Sequence, residues 1–244
     1  MTNDHLVLIS GKSATGKSAS LRDIQNQPGV VYLNCDMGKK LPFKNDFKNL
    51  VITDCAVIYQ AFDQAEERKD IHTIIIDTLT YMLDLYETTR VLTVGEKESR
   101  KAWGNYAQFF KRLMSDKVAK STKNVIFLAH SADLFNETEM VTETLVKVKG
   151  SLMNNGIESY FTNVISSKKL ALAKFTKDNA DSPLFQVTPQ EEALRFKYVF
   201  QTTLTKETVN ERIRAPMGMW TPKETYIDNN VQLVIQRLTD YYCV

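Results

Sequence analysis

The chain has 244 residues, of which 43% are hydrophobic and 25% charged, the range of an ordinary soluble globular protein and the upper end for one domain. A formal net charge of +2 is too small to point to a nucleic-acid partner on its own, so such a partner has to be argued from local patches. Cys35, Cys55 and Cys243 lack a C-x-x-C spacing, which argues against a disulfide framework or a structural zinc; with no signal peptide and no apolar run near the ~20 residues of a membrane span, the expectation is a cytoplasmic protein with no membrane partner.

In chain order, Leu6-Val7-Leu8-Ile9 is a short apolar run suited to a buried parallel strand. It leads into Gly11-Lys12-Ser13-Ala14-Thr15-Gly16-Lys17-Ser18, which fills every fixed position of the Walker A phosphate loop, G-x-x-x-x-G-K-[ST]. Backbone N–H groups must turn inward around a phosphate there, which demands glycine where a side chain would block the approach or φ must be positive. Lys17 supplies a point charge for the β- and γ-phosphates and Ser18 a hydroxyl for Mg²⁺. From Ala19, the last residue of the expected nucleotide-binding set, to Gln27 a helix is expected, stopped by Pro28-Gly29.

Val30 to Cys35 reads as a second strand ending on Asp36, followed by a basic, proline-containing loop from Gly38 to Lys48. Leu50 to Asp54 is a third strand, and Val57 to Lys69 a helix with Ile58, Ala61, Phe62 and Ala65 near helical spacing. Ile71 to Ile76 is a fourth strand, hydrophobic enough to be buried on both faces, that delivers Asp77, then Thr78. This is the Walker B arrangement, whose carboxylate holds Mg²⁺ through its water shell. Tyr81 to Lys120 is helical with a break at Thr93-Val94-Gly95, and Trp103, Tyr106, Phe109, Phe110, Leu113 and Met114 recur at spacings that favour core packing over a base-stacking platform. Val125 to Ala129 is a fifth strand, ending on His130. Strands alternating with helices predict a doubly wound α/β sheet with its ligand at the carboxyl ends of the strands.

The second half changes character. Polar and β-branched residues alternate from Glu137 to Lys149, and Gly150 to Gly156 reads as a mobile stretch. Tyr160 to Ile165, Lys169 to Lys174 and Phe196 to Thr203 read as antiparallel strands added to the parallel sheet; Asn230 to Tyr242 is a terminal amphipathic helix. No linker divides the chain, so one domain over 1–244 is expected, with a nucleotide-binding core over 1–133 and an added region over 134–244.

A phosphate loop alone fits nucleoside kinases, GTPases, AAA+ motors and RecA-type ATPases. Thr78 stands where AAA+ enzymes usually place a catalytic glutamate, and no guanine-reading N/T-K-x-D occurs. The loop at 11–18, Leu33-Asn34-Cys35-Asp36 with Gly38-Lys39 and Leu41-Pro42-Phe43-Lys44, Ile74 to Thr78, Lys149-Gly150 and Ala215-Pro216-Met217-Gly218-Met219-Trp220 resemble the phage-encoded RecA-like P-loop ATPases, the AAA/RecA-core group that includes phage single-strand annealing recombinases.

That resemblance spans nearly the whole chain. It implies an ATPase using ATP and Mg²⁺, a homo-oligomer in ring or filament form on single-stranded DNA, annealing or strand exchange in phage recombination, and a single-strand DNA-binding protein as partner. It also implies Asp36, on the strand next to the phosphate loop, as the water-activating carboxylate where relatives generally carry glutamate, and His130 as the γ-phosphate sensor. DNA-contacting loops would lie near Thr89 to Arg100 and Leu134 to Asn155, with Lys147 and Lys149. Lys168 and Lys169 form a denser basic cluster, read equally as DNA contacts or as the solvated edge of a sheet, and Arg212 and Arg214 fall where such assemblies reach into a neighbour's ATP site. Two rivals stay open: a nucleoside or nucleotide kinase, which needs an arginine-bearing lid and an acceptor pocket, and a nucleotide-gated switch with negligible hydrolysis.

Overall fold

The computed structural model describes residues 3–95 and 98–242, with the side chain of Asn155 set aside; Cys243, and Glu96 and Lys97 within the Thr89 to Arg100 segment, lie outside the described residues. Strand β1 (Leu6–Gly11) turns Leu6 and Leu8 to one apolar layer and Val7 and Ile9 to the other, so it is covered on both faces as its unbroken hydrophobicity requires. The same division runs through β2 (Val30–Asn34), β4 (Thr73–Asp77) and β5 (Asn124–Asn136). Helices α1 (Ala56–Glu67), α2 (Leu79–Tyr86) and α3 (Ser99–Arg112) cover one face; α7 (Val231–Tyr242) covers the other through Val231, Val234, Ile235 and Leu238.

The strands lie in the order β3-β2-β4-β5-β1-β7-β8-β9, where β3 is Lys48–Val51, β7 is Asn163–Ala171, β8 is Phe196–Gln201 and β9 is Tyr226–Asp228. From β3 to β1 every neighbour is parallel, and β8 and β9 are antiparallel additions. The result is a mostly parallel, helix-flanked α/β sheet with the phosphate loop at the carboxyl end of β1. Strand β5 stands between β1 and β4, in register Gly11↔His130 and Asp77↔Leu128, so the phosphate loop, His130 and Asp77 leave the sheet side by side.

Several expected elements take another form. The helix after the phosphate loop is a single 3₁₀ turn, Ser18–Leu21, and Asn26 takes a left-handed φ of 48° before the Pro28 turn. Ser20 Oγ donates to the Lys17 carbonyl at 2.5 Å, drawing off a helix acceptor, and the segment is too short to sustain a helix by propensity. The two strands expected over 160–174 are one, β7, whose first half is parallel to β1 and whose second half pairs antiparallel with β8. The fifth strand runs on past His130 to Asn136 and folds back as β6 (Val141–Val146), a hairpin that leaves the main sheet. Gly150 to Gly156 encloses a short helix, α4 (Ser151–Asn155), anchored by the fully buried Leu152. Tyr106, Phe110, Leu113 and Met114 are core, as their spacing indicated.

Candidate nucleotide site

The phosphate loop is shaped from behind. Gly16 adopts φ +91°, and a Cβ there would stand 3.0 Å from Asn229 Oδ1 and 3.2 Å from Tyr198 Cδ1; a Cβ on Gly11 would meet the Ser167 carbonyl at 2.5 Å. Ser167 Oγ donates to the Thr15 carbonyl at 2.8 Å and accepts from Asn229 Nδ2 at 3.1 Å, while Thr15 Oγ1 donates to the Lys12 carbonyl at 2.9 Å. Strand β7 and the residue after β9 therefore hold the loop in one conformation, and both glycines are needed for that close approach.

Lys17 is 6% exposed, and its Nζ donates to the Gly11 and Lys12 carbonyls at 2.8 Å each; among the described residues it forms no ion pair. Burial brings its pKa down to about 8 against the opposing pull of Asp77. Asp77 is buried at the end of β4, and its Oδ2 accepts from Ser18 Oγ and from Tyr32 OH, both at 2.8 Å. Burial pushes the Asp77 carboxyl upward while these two bonds oppose the shift, and the Tyr32 hydroxyl is driven up by burial and by the Asp77 charge. An oxygen donor set of one hydroxyl and one carboxylate suits a hard cation that keeps water and phosphate ligands, and no cluster of three or more His, Cys, Asp or Glu offers a protein-only cage among the described residues. The site fits Mg²⁺ carried with a nucleotide.

These groups line a cavity of about 320 Å³ that Ser13, Ala14, Thr15, Gly16 and Ala19 share with Asp36 and His130. Its lining carboxylates are Asp36 and Asp77. Asp36 does not come from the strand beside the phosphate loop, as expected, because β5 holds that place; it follows β2 on the far side of β4 and reaches the same cavity from there. Its backbone N–H donates to Asn34 Oδ1 at 3.0 Å, and Lys39 Nζ stands 3.5 Å from its carboxylate. The His130 N–H is held by Thr80 Oγ1 at 2.9 Å and its ring meets Tyr81 edge-on at 5.3 Å. Burial and then the Lys17 charge lower the imidazole pKa to about 4, so His130 is neutral at physiological pH.

Lys39, Leu41, Pro42 and Thr78, all quoted in the sequence segments above, also line it, together with Tyr32, Lys40 and Tyr81, which were not singled out from the sequence. The signal for Tyr32 was a hydroxyl in an apolar strand, two residues before Asn34 and therefore on the same face.

The remaining basic candidates do not converge. Lys147 is exposed and makes no ion pair among the described residues, and its N–H donates to the His130 carbonyl at 2.8 Å, which places it beside the cavity rim. Lys149 Nζ is taken by Glu87 at 2.5 Å. Lys168 is not a surface lysine: it sits in a pair with Glu211 at 2.5 Å and on Gln201 Oε1 at 2.7 Å. Lys169 lies 4.2 Å over the Phe196 ring. Arg212 bonds Glu143 at 2.6 Å, and Arg214 is exposed on a short backbone bridge to Val164.

No helix among the described residues is long and apolar enough to cross a membrane. No curated protein matches the chain. Among solved structures, a KaiC-like protein of the hyperthermophilic archaeon Pyrococcus horikoshii is similar at 11% identity and a TM-score of 0.42, over 85% of this chain and 82% of that one. The family model described as AAA domain matches residues 4–169, a span that runs from before β1 through the phosphate loop, the Asp77 strand and the β5–β6 hairpin into β7. A nucleotide-binding P-loop ATPase by its fold and its phosphate loop, the chain belongs to the AAA domain family.

Proposed function

We propose that the protein hydrolyses ATP in the cavity above Lys17 and couples the nucleotide to homo-oligomeric assembly on single-stranded DNA, promoting annealing or strand exchange in phage recombination. One observation carries the nucleotide part: Lys17 is a buried ammonium that, among the described residues, is hydrogen-bonded by two neutral carbonyls and no carboxylate and faces a cavity, which is a cation prepared for an anion. In this reading the backbone of Gly11 to Ala19 cradles the phosphates, Lys17 neutralises them, and Ser18 and Asp77 hold Mg²⁺. The cation would supply charge stabilisation on the phosphoryl oxygens. Tyr32 fixes the Asp77 carboxylate through its Oδ2, Asp36 orients the attacking water, and neutral His130 offers a hydrogen bond at the γ-phosphate end of the cavity.

The DNA part rests on the resemblance of the segments at 33–44, 149–150 and 215–220, and on Lys147 as an exposed cation, without an ion pair among the described residues, whose backbone N–H donates to the His130 carbonyl. The test is ATP turnover with and without single-stranded DNA, with Lys17→Ala as control and sedimentation of each mixture. Stimulation by DNA together with large assemblies supports the proposal. Turnover indifferent to DNA with no sedimenting complex sinks the DNA role, and nucleotide binding without turnover leaves the switch.

A further inference from the structure

A cavity of about 750 Å³ is separate from the nucleotide site. It is a groove between α1 and α3, walled by Tyr59, Tyr86 and Phe109, with Tyr86 stacked on Phe109 at 4.7 Å and Tyr59 OH donating to the Phe109 carbonyl at 2.7 Å. Two arginines rim it. Arg90, on the π-helical turn that continues α2, pairs with Asp54 at 3.1 Å, and Arg112 makes no ion pair among the described residues, which leaves the rim one positive charge in excess; an adjoining hollow adds Lys101 and Glu98, whose charges cancel. The groove is thus aromatic inside and net positive at its rim.

The β5–β6 hairpin has the opposite character. It projects six residues past His130, about 20 Å at ~3.4 Å per residue, and its tip carries exposed Leu134, Phe135 and Met140. Glu137 and Glu139 beside them make no ion pair among the described residues, whereas Glu143 lower on the ribbon is occupied by Arg212. Asn136 Oδ1 accepts from the Thr138 and Glu139 N–H groups at 3.1 and 3.2 Å, which fixes the turn. An acidic, apolar tip is poorly matched to DNA phosphates and well matched to an aromatic groove rimmed by cations.

We infer that the hairpin tip of one copy docks in the α1–α3 groove of the next, Phe135 entering between the aromatic walls while Glu137 and Glu139 face Arg90 and Arg112. The two patches differ and lie on one chain, so the contact is head-to-tail and propagates into a ring or filament. This rests on the homo-oligomeric assembly proposed above and says which surfaces make it.

The test uses the full chain, with ATP and single-stranded DNA, in sedimentation velocity. Glu137→Arg/Glu139→Arg sets cation against cation, and Arg90→Glu/Arg112→Glu sets acid against acid. Each double variant is expected to require ~100-fold more protein to assemble, since juxtaposed like charges cost several kcal/mol. An equimolar mixture of the two restores assembly at the wild-type concentration, because each reversed patch then finds its complement, and nucleotide affinity stays that of the wild type throughout. Variants that assemble like the wild type, or a mixture that does not recover, overturn the docking contact while oligomerisation stands. A wild type that stays monomeric with ATP and DNA overturns oligomerisation itself.

Discussion

Lys17 and Lys197 are almost equally buried, at 6% and 4% exposure, yet they belong to different kinds of region. Lys197, on the antiparallel strand β8, is met by Glu191 and Asp228, both at 2.9 Å, and Lys168 on β7 by Glu211 at 2.5 Å. Lys17, at the end of the parallel half, is met among the described residues by carbonyls and by no carboxylate within ion-pair distance. A buried cation closed by carboxylates has its countercharge and acts as a strut; one bonded only to neutral groups still lacks an anion. Burial therefore does not separate structural lysines from functional ones. The charge of the partner does.

The largest expected effect lies at Lys17. Lys17→Ala should lower ATP turnover by about 10²–10³-fold, the scale for losing one preorganised stabiliser of transition-state charge, while the melting temperature holds or rises because a buried charge has gone. A melting temperature that falls as turnover falls would make Lys17 a strut like the others. Next, Lys197→Ala strands two carboxylates and should destabilise the fold by about 3 kcal/mol, seen as a melting temperature lower by roughly 10 °C. Lys168→Ala should likewise cost stability through Glu211 and leave the salt dependence of any DNA binding unchanged. A shallower salt slope would return Lys168 to the DNA surface.

The pH dependence sharpens the same contrast. Lys17 has a folded-state pKa of about 8 against 10.5 for a free lysine, so between these values the unfolded chain binds more protons and stability rises with pH, by up to about 3 kcal/mol over the window. Nucleotide affinity should fall over the same range as the ammonium is lost. Lys17→Met should flatten the lysine part of the stability slope, as urea melts at pH 7.5, 9 and 10.5 would show. The smallest effect is expected from Tyr32→Phe. Removing a hydroxyl that orients Asp77 should raise the Mg²⁺ concentration needed for half-maximal turnover by about tenfold, with nucleotide affinity in the absence of metal unaltered. An unchanged Mg²⁺ requirement would mean that Ser18 alone positions the carboxylate.

The contrast between the two kinds of lysine also marks how far the sequence could be read. The phosphate loop, the strand carrying Asp77 and the sheet class were legible because each is written locally, as a spacing or an apolar run. Strand pairing was not, since the place of β5 between β1 and β4 is decided by contacts more than 50 residues apart in the chain. For the same reason the strand that ends on Asp36 is expected beside the phosphate loop, whereas β4 and β5 stand between them and Asp36 reaches the cavity from the far side. Lys168 and Lys169 looked alike as adjacent basic residues, but a strand turns them to opposite faces, and only the fold shows that Glu211 awaits the first and Phe196 the second. Tyr32 was hidden by its own apolarity, because a buried tyrosine reads as core until the acceptor of its hydroxyl is known.

The middle of the β5–β6 hairpin is not free of the phosphate loop. Lys12 Nζ lies 2.6 Å from Asp133 Oδ2, and Thr144 Oγ1 donates to the other oxygen of the same carboxylate at 2.9 Å, so both strands of the ribbon meet the loop at one residue. A ribbon about 20 Å long, tied halfway along to the segment that encloses the phosphates, is a lever with its fulcrum beside the nucleotide cavity. Load on its tip would reach the nucleotide cavity by two routes, the Asp133–Lys12 pair beside the phosphate loop and the β5 backbone that runs into His130.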